Sequence, residues 1–308
     1  MDSIILLSIL VFVFSLGFLK YFIGFLKRKG IGKHIRKEGP KEHFKKEGTP
    51  VMGGIIFLIV LSPFLFFKET FFFAFSTIFM GILGLIDDIL LLIKKDYGIK
   101  PIKKVFLTFI FAFIIYLLWT PKDFRIFLGD SYFYLGFLYI PLFLILYVFM
   151  TNAVNLTDGL DGLAGATCFI SIVLLFLPQF FKNNFILSLP ISCLLASILG
   201  FLWYNIYPAE IIMGDVGAFS LGGAISSLLV LNKMESFFLI LSGIFLLEAF
   251  SVFIQVAYYK WKRKRIFKMS PIHHHFELLG WKETKIVGRF CIIHLLMILG
   301  GLILWNYL

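Results

Sequence analysis

Apolar residues run along this chain in blocks of about twenty, divided by short polar interruptions. The blocks lie roughly at 3–25, 51–67, 71–93, 102–120, 135–151, 163–178, 186–203, 216–231, 236–259 and 286–307. An α-helix needs ~20 apolar residues to cross a hydrocarbon core of ~30 Å, so runs of this kind read as membrane spans. The pattern predicts an all-α, polytopic integral membrane protein with about ten transmembrane helices. No repeat of fixed period and no Ser/Gly/Pro linker divides the chain, and residues 1–308 read as a single transmembrane domain. The first run lacks a basic n-region and a small-residue cleavage site. It reads as a retained span, not a signal peptide.

Composition narrows the class further. The chain is 60% hydrophobic and 15% charged, with 40 Phe and a mean hydropathy of +0.94, which excludes a soluble globular protein. Cys168, Cys193 and Cys291 all fall inside apolar runs, and an odd number there argues against a disulfide framework. The net charge of +11 matters less than its placement. With the N-terminus outside, 23 Lys/Arg fall in the inside loops (Lys27 to Lys46, Lys94 to Lys104, Lys260 to Arg289) and only five in the outside loops. That asymmetry follows the positive-inside rule and predicts that both termini lie outside. With no soluble domain to carry a basic face, nucleic acid is excluded as a partner, whereas the bilayer and its anionic headgroups fit the basic loops.

The acids lie where packing gives them no purpose. Asp87 and Asp88, in GLIDDILLLI, fall near the inner end of the third run. An Asp in the core of a spanning helix costs about 2.5–3.5 kcal/mol on insertion scales, and neighbouring carboxylates repel each other. Such acids point to a cation or proton site, although a hydrated pair at the interface is the plainer alternative. In NAVNLTDGLDGLAG, Asn152, Asn155, Asp158 and Asp161 recur every three residues, in an inside loop without Lys or Arg. At that spacing on a helix Asp158 and Asp161 act together while Asn152 faces elsewhere. The plainer alternative makes Asp158 the cap of the next span, which explains one Asp and not the set. Asp215, in IIMGDVGAFSLGG, opens the eighth span, where a cap is ordinary but the first amides of a helix also suit an anion. SPIHHHFELLGW places His273, His274 and His275 in the last inside loop; three consecutive His cannot converge as ligands of one zinc. They offer donors for a phosphate or a nucleobase, with Lys45, Lys46 and Lys104 on the same side. His294, alone in the tenth run, reads as a packing histidine. Carboxylates suit Mg²⁺, cations and amides suit phosphates, and the setting suggests a lipid substrate. The residues alone thus point to metal-assisted phosphoryl transfer at the inner leaflet.

GTPVMGG (48–54), GLIDD (84–88), NAVNLTDGLDGLA (152–164), MGDVGAFSLGG (213–223) and PIHHHFELLGW (271–281) together resemble the phospho-N-acetylmuramoyl-pentapeptide transferases. These belong to the polyprenyl-phosphate phospho-sugar transferase superfamily. The motifs occur in order across almost the whole chain, and the triple-His motif points to the muramoyl-pentapeptide branch. The resemblance implies transfer of phospho-MurNAc-pentapeptide from UDP-MurNAc-pentapeptide to undecaprenyl phosphate, giving lipid I and UMP in peptidoglycan synthesis. It also implies Mg²⁺ as cofactor, a bacterial inner membrane, a cytoplasmic active site, and a homodimer as one assembly it allows. Carried over by motif, Asp215 binds the metal, Asp87 and Asp88 serve the attacking lipid phosphate, and His273 is a further catalytic member. Asn155, Asp158, Asp161, Asn205, Gln255 and His274 line the donor pocket, with Lys46 and Lys104 beside it. The chain departs from the family at Ile212, where an aromatic that can stack on uracil is usual, and at Val51, where Thr is usual.

Two mechanisms stay open at this level. The acceptor monoester has a second pKa of about 6 and is mostly dianionic at neutral pH, which favours direct in-line attack. A covalent aspartyl-phosphate at Asp87 or Asp88 is the other. Two other functions share parts of the pattern: a related transferase using UDP-GlcNAc, and an ion-coupled transporter. A transporter places its acids near the midplane and often carries internal repeats, which this chain lacks.

Overall fold

The computed structural model describes residues 2–32, 46–94, 98–119, 123–128, 131–181 and 184–307. Most of the inside loop expected at 26–50, with Lys45, lies outside these residues. Twelve helices and one hairpin follow in order: α1 (Asp2–Arg28), α2 (Ile55–Leu61), α3 (Lys68–Lys94), α4 (Pro101–Trp119), β1 (Arg125–Leu128), β2 (Ser131–Tyr134) and α5 (Tyr139–Thr157). Then come α6 (Leu163–Phe181), α7 (Phe185–Asn205), α8 (Gly214–Leu231), α9 (Phe238–Leu241), α10 (Ile244–Lys262), α11 (Ile272–Glu277) and α12 (Glu283–Tyr307).

Among the described residues eight helices are long and apolar enough to cross a membrane, and two apolar helical stretches are shorter, Ile55–Phe66 and Leu163–Leu177. The two shorter ones fall on the second and sixth expected spans. The second starts late because residues 49–52 are irregular and 53–54 form a turn, and after Leu61 it tightens into a 3₁₀ turn with Pro63 near its start. Proline lacks the N–H that would continue an α-helix.

The ninth expected span, 236–259, is broken. Gly243 has φ 53° and ψ −123°, a conformation open only to glycine, and α10 begins after it. The His294 ring from α12 packs there, its Nδ1 accepting the Ile244 N–H at 3.1 Å and its Nε2 donating to the Thr167 carbonyl at 2.9 Å. His294 is therefore the packing histidine expected of it, and it joins α6, α10 and α12 at the break. The β1–β2 hairpin, antiparallel with Arg125 opposite Tyr134, replaces what the sequence reads as a plain loop. Asp123 and Arg125 pair at its base at 2.8 Å, which holds the Asp123 carboxyl below the usual carboxylate range.

α8 is the axis of the bundle. Every residue from Val216 to Val230 is buried, with α3 and α5 packed along it. Glycine permits the closest approach: a Cβ on Gly84 of α3 would meet the Asp215 carbonyl oxygen at 2.1 Å. Small residues at such crossings let backbones touch, as is usual where lipid, not water, surrounds the helices. This contact brings the Asp87–Asp88 turn of α3 against the first turn of α8.

Candidate active site at one end of the bundle

The C-terminal ends of α3 and α5 meet the N-terminal ends of α4 and α8. There Asp87, Asp88, Lys104, Asn155 and Asp215 form one linked network. Lys104 Nζ lies between Asp87 and Asp215 and pairs with both. Asp87 also accepts the Ile99 N–H, and Asn155 Nδ2 donates to Asp215 Oδ1 at 2.6 Å. Asp88 faces the other way. Its Oδ1 accepts the Asp215 N–H and its Oδ2 the Val216 N–H, each at 3.0 Å. The residue before α8, Met213, provides no capping side chain, so Asp88 caps α8 from another helix. The first amides of α8, read from the sequence as an anion site, are taken by this carboxylate.

The network sets three carboxylates against one ammonium in a site where Asp87 and Asp88 are only 5% and 6% exposed. Uncompensated charge at such depth is costly, so the chemistry of the donor set calls for a further cation. Asp87 and Asp215 converge on the Lys104 ammonium, and the Asn155 amide donates to the second oxygen of Asp215. Mg²⁺ is commonly held by one or two carboxylates, with water and phosphate oxygens completing its shell, and this donor set fits it. Among the described residues no cluster of three or more His, Cys, Asp or Glu is compact enough to enclose a metal by itself.

A second network stands on the donor-loop side. Residues 158–162 form a turn between α5 and α6, not the helix on which the three-residue spacing would set Asp158 and Asp161 together. Asp158 is the residue at which α5 ends. Asn152 turns back to the Val148 carbonyl, away from the cluster as expected. Asp161 is buried and fully engaged: Oδ1 accepts from Lys46 Nζ at 2.7 Å and Oδ2 from the Ala209 N–H at 3.0 Å. Glu283, in the first turn of α12, accepts from Lys46 Nζ and from the Asp161 N–H, both at 2.6 Å. Burial works against the Lys46 charge, but these two carboxylates outweigh it and hold its pKa above the ordinary lysine value. Asn205 braces the same turn, with Oδ1 accepting the Gly162 N–H at 3.0 Å and Nδ2 donating to the Ile211 carbonyl at 2.9 Å.

His273 is fully buried against this turn, and a Cβ on Gly159 would strike its Nε2 at 2.2 Å. Its Nδ1 stands 3.1 Å from Glu248 Oε1, near enough for an ion pair but angled off a hydrogen bond. His274 stacks edge-on beside it and pairs with Glu277 at 2.6 Å. Gln255 spends its amide on main chain, accepting from the Ile266 and Phe267 N–H groups and donating to the Phe267 carbonyl. It shapes the 263–271 loop, and with Tyr259, Lys260, Arg265 and Ser270 it lines a cleft of about 500 Å³. The two departures from the family pattern are neighbours: the Pro50 carbonyl accepts the Ile212 N–H at 2.8 Å, and the Ile212 carbonyl accepts the Gly53 N–H at 2.9 Å.

Two participants were missed from the sequence. Glu248 is an acid within the ninth apolar run, and the rule that singled out Asp87 and Asp88 would have found it. Glu283 had no such signal, because an acid in the first turn of a helix is ordinary.

Comparison with known proteins shows the family. The sequence matches glycosyl transferase family 4 over residues 70–233. A Dictyoglomus thermophilum protein named phospho-N-acetylmuramoyl-pentapeptide-transferase is 56% identical, covering 100% of both chains. Proteins of the same name from Kosmotoga olearia and Clostridium botulinum are similar too. The first is 42% identical over 100% of each chain, and the second 41% identical over 95% of this chain and 93% of its own.

Proposed function

Since the chain belongs to glycosyl transferase family 4 and, within it, to the phospho-N-acetylmuramoyl-pentapeptide transferases, we propose that it makes lipid I. It moves phospho-MurNAc-pentapeptide from UDP-MurNAc-pentapeptide to undecaprenyl phosphate and releases UMP. The observation that carries the chemistry is the meeting of Asp87, Asn155 and Asp215 around the Lys104 ammonium, drawn from four helices.

In the direct route an oxygen of the lipid phosphate attacks the sugar-linked phosphorus. A new P–O bond forms as the bond to UMP breaks, and UMP leaves with the electron pair. Asp215, oriented by Asn155, is the carboxylate that would hold Mg²⁺; when bound, the ion would neutralise charge on the leaving phosphate. Lys104 adds a fixed positive charge between the two carboxylates, and Asp87 would take the last proton of the acceptor phosphate. Asp88 keeps α8, and so Asp215, in register. The turn 158–162 with Lys46, Asn205 and His273 forms the donor side. The 23 Lys/Arg assigned to one side of the bilayer support an active site on the cytoplasmic face of the inner membrane.

Purified protein given undecaprenyl phosphate should release UMP from UDP-MurNAc-pentapeptide and not from UDP-GlcNAc. Chelation should abolish the release, and added Mg²⁺ should restore it. Release from UDP-GlcNAc alone would move the chain to another branch of the superfamily, and turnover that survives chelation would remove the metal from the reading.

A further inference from the structure

We infer that Glu283 is a positioning residue of the donor side: it fixes Lys46 and the 158–162 turn in one arrangement without itself meeting the substrate. The inference rests on the reading of that turn as the donor side. One carboxylate oxygen, Oε1, takes both the Lys46 ammonium and the Asp161 N–H, each at 2.6 Å. Glu283 is therefore the point at which α12, the turn after α5 and the segment ending the first inside loop are tied together. Those segments lie 122 and 237 residues from it in sequence. The pair is shielded, with Lys46 13% and Glu283 11% exposed.

Charge argues that the purpose is placement, not attraction. Two carboxylates face one ammonium, so the trio carries a net negative charge and repels an anionic donor. If Lys46 only had to be positive, Glu283 would be a liability. What Glu283 adds is direction: it is the acceptor for the Asp161 N–H and the second anchor of a long, flexible ammonium stem. The other anchor, Asp161 Oδ1, cannot orient its own main chain.

The requirement is thus for an acceptor oxygen at the right reach, and the negative charge is incidental. Glu283→Gln keeps Oε1 and drops the charge. Glu283→Asp keeps the charge but is shorter by a methylene, and Glu283→Ala keeps neither. The experiment measures UMP binding by calorimetry, turnover with each substrate varied in turn, and melting temperature, on purified wild type and all three variants. Gln should bind UMP within about threefold of wild type. Ala and Asp should each lose about tenfold or more in UMP affinity and in donor KM, the loss expected for a broken hydrogen bond to a charged group. The KM for lipid phosphate and the kcat at saturating donor should stay within about threefold. A structural defect alone would not divide the donor KM from the lipid KM in this way.

Gln as impaired as Ala, with Asp active, would make charge the requirement and overturn the inference. So would a loss that falls on kcat with donor KM and UMP affinity unchanged. If Ala does not fold, the Gln and Asp ranking decides by itself. A wild type that neither binds UMP nor turns the donor over would overturn the functional reading beneath the inference.

Discussion

Asp87 and Asp88 are adjacent in the chain and have different partners, because successive residues of a helix point about 100° apart. Asp87 meets Lys104 and the Ile99 N–H, while Asp88 meets the amides of α8. Their substitutions should therefore differ in kind, and the pH dependence of Asp87 is the informative one. Below pH ~6 the lipid phosphate carries a proton that must go to an acceptor; above it the phosphate arrives deprotonated. The deficit of Asp87→Asn should therefore shrink as pH rises through ~6, whereas Asp215→Asn should stay inactive at every pH because a ligand and a charge are both lost. The check is a pH–rate profile of both variants at saturating Mg²⁺. A stoichiometric burst of UMP from wild type without lipid, together with an Asp87→Asn variant dead throughout, would replace direct attack with a covalent intermediate.

Between elements, the decisive contact is that of α3 with α8. It holds the two aspartates of one helix against the third aspartate of the other, and it depends on the missing side chain of Gly84. A methyl there would meet backbone atoms, the Asp215 carbonyl oxygen at 2.1 Å and its carbon at 2.4 Å, and backbone cannot step aside as a side chain can. Overpacking of this kind costs about 1–3 kcal/mol and is relieved by moving the helices apart. Gly84→Ala should therefore fold with a lowered melting temperature and lose at least about tenfold in turnover, since the Asp87–Lys104–Asp215 geometry opens. Gly288→Ala on α12 meets nothing within 4 Å and should match wild type in both measurements. Equal activity of the two variants would mean that the close crossing is not what sets the site.

For the whole molecule, the property to test is which way it lies in the bilayer. Ser131 in the hairpin and Asn184 before α7 are exposed on the side read as outer, and Lys264 and Lys282 are exposed on the side read as inner. Cysteines placed at Ser131 and Asn184 should react with an impermeant maleimide in intact cells. Cysteines at Lys264 and Lys282 should react only after permeabilisation. The reverse pattern would turn the active site to the outer face. Asn232, an outer-loop residue by sequence, is a poor probe: it is 7% exposed, and its amide is bonded to Gln179 and the Leu175 carbonyl.

The membrane class, the approximate positions of the spans and the set of suspicious acids were all legible in the sequence, and the sequence carries an expected direction of insertion. Each follows from local quantities: the length of an apolar run, the side on which Lys and Arg accumulate, and the cost of a carboxylate in hydrocarbon. Partnership was not legible, because it depends on how helices rotate and cross. Lys104 meets a residue 111 positions away and Lys46 one 237 away. Nothing in the linear pattern separates the ion pair of Asp87 from the capping role of Asp88, or marks Glu283 above any other first-turn glutamate. The break at Gly243 was equally hidden, since its apolar run continues through it and only the backbone angle stops the helix. Hydropathy determined what enters the membrane; packing between helices decided which charges meet there.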